Sequence, residues 1–144
     1  MVSSQIVNAY RYGLYAQNTV NADGGDWFVS GTFFTAGGNS AVAAINIEGT
    51  GGGKIINDKI VLGLTTSYRF TNGIRMNPNA STSEQLLITG NDIDQLQGSP
   101  INLVSSIPYT TIEGTFLSIA TGSFPVIAVT NPNSLIVVGN TFKE

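Results

Sequence analysis

The sequence predicts an all-β solenoid, and three observations lead there. The composition favours strands and corners: Ile (15) and Thr (15) sit beside Gly (17), Asn (14) and Ser (13) in a chain of 144 residues. Branched residues suit a pleated strand, while Gly and Asn suit tight turns. No helix-period amphipathic stretch of useful length occurs; Ser83-Glu84-Gln85-Leu86-Leu87 runs straight into an alternating Ile-Thr-Gly-Asn segment. Finally, the chain repeats itself, as stacked architectures do.

Charge and reactive residues narrow the functions available. Charged residues make up only 10%, against roughly 25% in ordinary soluble domains. Six cations against nine anions leave a net charge of −3, too few positive groups to neutralise many phosphates, so nucleic acid is not expected as a partner. With no His and no Cys, disulfides, thiolate and imidazole metal sites and Ser-His-Asp chemistry are excluded. No cofactor is expected. No signal peptide and no apolar run of 18 residues is present, so no membrane span is expected.

One six-residue segment recurs five times: Val29-Ser30-Gly31-Thr32-Phe33-Phe34, Ile55-Ile56-Asn57-Asp58-Lys59-Ile60, Ile88-Thr89-Gly90-Asn91-Asp92-Ile93, Ile112-Glu113-Gly114-Thr115-Phe116-Leu117 and Val137-Val138-Gly139-Asn140-Thr141-Phe142. Its first position is β-branched, its third Gly or Asn, its fourth Thr, Asp or Asn, and its sixth large and apolar. The offsets are 26, 33, 24 and 25 residues, the long one carrying a loop insertion at 77–82. A second segment precedes each copy: Leu14-Tyr15-Ala16, Ile45-Asn46-Ile47, Ile74-Arg75-Met76, Ile101-Asn102-Leu103 and Val126-Ile127-Ala128, each behind a small or rigid residue (Gly13, Ala44, Gly73, Pro100, Pro125).

A strand, a Gly/Asn corner, a second strand and a turn make one coil that cannot bury its apolar face alone. Coils must therefore stack at the strand spacing of about 4.8 Å. Each column then becomes a ladder: aliphatic inside, Thr/Asn/Asp at the corner, with the third column suiting φ > 0. A β-sandwich with chance similarity is the plainer alternative. About five coils are expected, with residues 1–12 as an N-terminal cap or partner-contact segment and 13–144 as the solenoid. The last repeat ends at Phe142 without a capping segment, so a piece of a longer spike, or a short chain docking on other subunits, is expected.

The segments Leu87-Ile88-Thr89-Gly90-Asn91-Asp92-Ile93 and Ile136-Val137-Val138-Gly139-Asn140-Thr141-Phe142 resemble right-handed parallel β-helix proteins of the pectate-lyase-like type. The stretch Asp26-Trp27-Phe28-Val29-Ser30-Gly31, followed by Gly52-Gly53-Lys54-Ile55-Ile56-Asn57, resembles the β-helix region of bacteriophage tailspikes, and the resemblance covers about residues 10–144. It implies a right-handed parallel β-helix located in the virion. It also implies a role as a structural and host-recognition module contacting bacterial surface polysaccharide, as a homotrimer or beside other virion subunits. The same fold hosts polysaccharide hydrolases and lyases as well as non-catalytic binders, so a depolymerase and a decoration protein without a glycan role stand as alternatives.

Alternation along the second segment points Tyr15, Asn46, Arg75, Asn102 and Ile127 outward, with Gln17, Glu48, Asn77 and Val104 two positions further on. Tyr15, Gln17, Asn46, Arg75, Asn77 and Asn102 are the candidate glycan-binding residues; an ordinary solvated face braced by amide ladders is the alternative. A glycosidase needs two flanking carboxylates. Glu48, Asp58 and Asp92 are the catalytic candidates, because Asp58 and Asp92 fall one register apart in adjacent coils. Corner acids more often bind turn amides, and Asp58 has Lys59 beside it. For a lyase, Lys54 and Arg75 are the only plausible bases. The run Glu48-Gly49-Thr50-Gly51-Gly52-Gly53-Lys54 lacks the spacing and following helix of a phosphate loop and reads as a turn. Tyr10 and Tyr12 are expected to pack against the first coil or a partner.

Overall fold

The computed structural model describes residues 4–17, 27–39, 41–49, 52–77, 85–104, 107–120, 124–130 and 132–143. They form a three-sided parallel β-helix with no helix among them. The first sheet stacks β1 (Ser4–Ala9), β4 (Thr32–Ala36), β7 (Lys59–Val61), β10 (Asp92–Leu96), β13 (Phe116–Ile119) and β16 (Thr141–Lys143) in that order. The second stacks β2 (Tyr12–Gln17), β5 (Ala41–Glu48), β8 (Phe70–Asn77), β11 (Ile101–Leu103) and β14 (Ile127–Val129). The third stacks β3 (Trp27–Ser30), β6 (Gly53–Ile56), β9 (Gln85–Thr89), β12 (Ile107–Glu113) and β15 (Pro132–Val138). All pairings between neighbouring coils are parallel. The molecule belongs to the right-handed parallel β-helix class, the hand that parallel crossovers take almost without exception. Five rungs in the second and third sheets span four turns, slightly fewer than the five coils the repeats suggest. Residues 4–9 form the end rung of the first sheet.

The repeat columns are the register. Val29, Ile55, Ile88, Ile112 and Val137 pair rung to rung down the third sheet. Phe34, Ile60, Ile93, Leu117 and Phe142 do the same down the first. The four earlier members of the Phe34 column are completely buried, whereas Phe142, with a rung on only one side, is 52% exposed. A residue in mid-stack is thus shielded by the coils above and below as well as by its own. Full burial of such a side chain stabilises by about 1.5–3 kcal/mol.

Between the third and first sheets the chain turns through one left-handed residue per coil: Gly31, Asn57, Gly90, Gly114 and Gly139, with φ from 55° to 65°. Glycine reaches that region without steric penalty, and asparagine at small cost. The next residue stitches the coils together. The Thr32 N–H donates to Asp58 Oδ1 (2.7 Å), the Asp58 N–H to Asn91 Oδ1 (2.9 Å), the Asn91 N–H to Thr115 Oγ1 (3.4 Å) and the Thr115 N–H to Asn140 Oδ1 (3.0 Å). Backbone groups that the corner removes from the sheet ladders thereby keep partners, which buried amides require.

The small residues before the second segment have a packing reason. A Cβ on Gly13 would meet Phe34 Cδ1 at 2.6 Å, and one on Gly73 would meet Ile93 Cγ2 at 2.5 Å. Positions 13 and 73 therefore face the core, and so do the residues that follow them, Leu14 and Ile74. Two consecutive inward residues break the alternation at this corner, where the Gly73 and Ile74 N–H groups share the Pro100 carbonyl. The last copy of the second segment also needs a correction. Ile127 pairs with Ile101 and falls in the inward column, while Ala128 takes the place beside Asn102. Val126, not Pro125, occupies the rung position of Pro100, so counting from the proline slips the register by one.

Candidate functional site

The outer face of the second sheet carries the row expected from sequence. Tyr15, Asn46, Arg75 and Asn102 stand in register on β2, β5, β8 and β11. Gln17, Glu48 and Asn77 form the row beside it. Six side chains chosen for glycan contact therefore share one face, and one of the carboxylates chosen for catalysis lies among them.

Their hydrogen bonds make a connected network. Glu48 Oε2 accepts from the Tyr15 hydroxyl (3.1 Å), and Oε1 accepts from Asn46 Nδ2 (3.1 Å) and Arg75 Nη1 (3.0 Å). Arg75 Nη1 also donates to Asn46 Oδ1 (2.9 Å). Asn46 is completely buried beneath this cover, while Tyr15 remains 46% exposed. On the next rungs Asn102 Nδ2 donates to Asn72 Oδ1 (3.2 Å), and Asn72 Nδ2 to the Val42 carbonyl (3.4 Å). Donors decide the charge on Glu48. The Asn46 amide above all, then the Tyr15 hydroxyl and Arg75, hold its carboxyl below the ordinary value against the opposing effect of desolvation. The Tyr15 phenol is pushed up by desolvation and by its bond to Glu48.

Tyr12, Arg11 and Asn72 extend the site beyond the residues that alternation selects. The Tyr12 ring stacks on Tyr15 with centroids 5.1 Å apart at 26°, and the Arg11 guanidinium lies 5.3 Å from the Tyr12 centroid. A strict period of two puts Tyr12 and Tyr15 on opposite faces. The inward pair Gly13-Leu14 between them returns both to the same face, and Gly73-Ile74 does the same for Asn72 and Arg75. A small residue before each second segment is the only signal in the sequence that bears on this.

The other catalytic candidates do not join the site. Asp58 is 1% exposed in the corner ladder, its Oδ1 turned to Thr32 of the preceding coil. Asp92 instead forms an exposed ion pair with Lys59 (3.0 Å) on the outer side of the first sheet. Register explains the separation: Asp92 pairs with Lys59, which leaves Asn91 opposite Asp58. Lys54 stands on β6, a different sheet from Arg75 on β8. There it lines a cleft of about 420 Å³ with Gln85, Tyr109 and Ile136. Among the described residues no group of three His, Cys, Asp or Glu side chains could hold a metal ion. No helix there is long and apolar enough to cross a membrane. Asp23, Asp26, Glu84 and Glu144 lie outside the described residues, as does the Trp27 side chain.

Fold and face together define a parallel β-helix bearing an aromatic and polar stripe across four coils. Comparison with known proteins finds no matching family model, no similar curated protein and no matching solved structure.

Proposed function

We propose that this chain is a virion structural and host-recognition module, a tailspike-like β-helix that holds bacterial surface polysaccharide along the second sheet. The observation that carries the reading is the stacked pair Tyr12–Tyr15 beside the Glu48–Asn46–Arg75 network on one face. A sugar ring offers an apolar face to an aromatic ring and hydroxyls to amides, carboxylates and guanidinium groups, and this stripe supplies all four. Its donors and acceptors repeat at the strand spacing along the stack, which suits an extended chain molecule. Tailspike type, homotrimeric assembly and a place in the virion come from the sequence resemblance and belong to the proposal.

Glu48 serves here as an acceptor that is charged at neutral pH. Its three donors stabilise the carboxylate and oppose the raised pKa of a general acid. With Asp58 and Asp92 turned elsewhere, glycan holding is favoured over hydrolysis. The test is incubation of the chain with a panel of bacterial surface polysaccharides, following binding and the release of reducing or unsaturated ends together. Saturable binding without new ends, weakened at least tenfold by Tyr15→Ala or Arg75→Ala, is the expected result. Release of ends that Glu48→Gln abolishes would make the protein a depolymerase. Silence on both counts would overturn the glycan reading in favour of a decoration protein.

A further inference from the structure

One rung of the corner ladder, Asp58, differs from the two asparagine rungs only in carrying an oxygen where they carry an NH2 group. Asn91 and Asn140 each use both halves of their amide. Oδ1 accepts the backbone N–H of the preceding coil's corner residue, and Nδ2 donates to the carbonyl of that coil's first-column residue, Ile55 (3.1 Å) or Ile112 (2.9 Å). Asp58 occupies the same place in its own coil: it is 1% exposed, and its Oδ1 accepts the Thr32 N–H at 2.7 Å. Its Oδ2 stands where the asparagines carry their NH2 group, and it is buried without a hydrogen-bond partner. The first-column residue of the preceding coil is Val29, whose carbonyl is the counterpart of those of Ile55 and Ile112.

A carboxylate has no proton to give to a carbonyl, so the ionised rung cannot complete the pattern, and its second oxygen is desolvated without compensation. A carboxylic acid can complete it. We propose that Asp58 is a protonatable rung of the β-helix: in its neutral form the acid reproduces the asparagine pattern, with Oδ2–H donating to the Val29 carbonyl, so that mild acid locks the first and second corners together. No covalent change is involved, only uptake of one proton.

Among the described residues no charged side chain on the neighbouring elements offsets this. The preceding corner presents Ser30, Gly31 and Thr32; the following one presents Gly90 and Asn91. Lys59 and Asp92, the nearest charges along the strands, are paired with each other on the outer surface. Lys54 points out from the third sheet into the exposed cleft. The electrostatics agree with the geometry: burial pushes the Asp58 carboxyl up to about 6, against the smaller opposing effect of the Thr32 and Ile56 N–H groups. A folded-state value raised above the unfolded 3.8 contributes stability that is fully present below 3.8 and is lost as pH rises through about 6. Between pH 7.5 and 5 this group alone favours folding by about tenfold, a shift in melting temperature of about 3–6 °C for a chain of this size.

The experiment compares thermal unfolding of the whole chain and of Asp58→Asn from pH 7.5 to 5, with the carboxyl carbon of Asp58 followed by NMR titration in the unsubstituted chain. Asparagine supplies the missing donor at every pH. The variant is therefore expected to melt higher at pH 7.5, and its advantage is expected to shrink by those few degrees at pH 5. The Asp58 carbon is expected to titrate well above an ordinary aspartate. An unchanged difference across the range, a variant that melts lower at pH 7.5, or a midpoint at or below 4.5 would overturn the proposal. If the variant fails to fold, the NMR midpoint decides alone.

Discussion

Two carboxylates on successive turns of the same chain meet opposite fates. Glu48 lies on an outer face, tied to an amide, a phenol and a guanidinium, and its proton is lost more readily than usual. Asp58 lies inside a corner with one oxygen bonded and the other bare, and its proton is held more tightly than usual. Neither outcome follows from the residue type or from the number of charges nearby. What decides is whether donors or dry space surround the second oxygen. The face is built to keep a charge available, and the corner is built to keep coils in register.

Removing one ladder rung should separate the two regions most sharply. Asn91→Ala leaves the Asp58 N–H and the Ile55 carbonyl without their side-chain partners in a buried corner, an expected loss of about 3 kcal/mol in chemical denaturation. Asn46→Ala breaks bonds to Glu48 and Arg75, but these two stay paired with each other and about a quarter exposed, so water reaches them, and the expected cost is about 1 kcal/mol. Equal losses would show that the face is as structural as the corner.

The corner glycines sharpen the picture further. Gly90→Ala imposes a left-handed alanine and drives its Cβ to 2.4 Å from Asn57 Oδ1, whereas at Gly31 nothing lies within 4 Å. Thermal melting should show a loss of about 1–2 kcal/mol for Gly31→Ala from backbone conformation alone, and a clearly larger one for Gly90→Ala.

A smaller effect tests the sign of the face carboxylate. Because the folded-state value of Glu48 is depressed, it contributes stability present above the unfolded value of 4.5 and lost as pH falls through the folded one. Glu48→Gln should flatten the acid limb of the stability curve below about pH 4.5 while leaving the change between pH 7.5 and 5 intact. Smallest of all, Lys59→Ala removes an exposed ion pair, and urea denaturation should show a loss of no more than about 0.5 kcal/mol, less at high salt.

Much of this was legible residue by residue. The five copies from Val29 to Phe142 predict the rung pairing of their own columns in the first and third sheets, because a column that faces the core must keep its residue type. The row Tyr15, Asn46, Arg75 and Asn102 follows from alternation in the same way. Tyr12, Arg11 and Asn72 were not legible, since the inward pairs at Gly13-Leu14 and Gly73-Ile74 shift the alternation at a corner. Asp58 and Asp92 appear close in the aligned repeats, yet adjacent residues on a strand point to opposite sides, one into the corner and one to solvent.

The amino-acid sequence by itself determined the class of fold, most of the stacking register and the residues available to each face, because a solenoid repeats one short-range pattern and writes it into columns. Tertiary structure alone decided which side chains touch, how Glu48 and Asp58 hold their protons, and that Tyr12 joins Tyr15. Those outcomes depend on ångström-scale placement of donors, carbonyls and dry space between coils, which residue spacing along a chain does not encode.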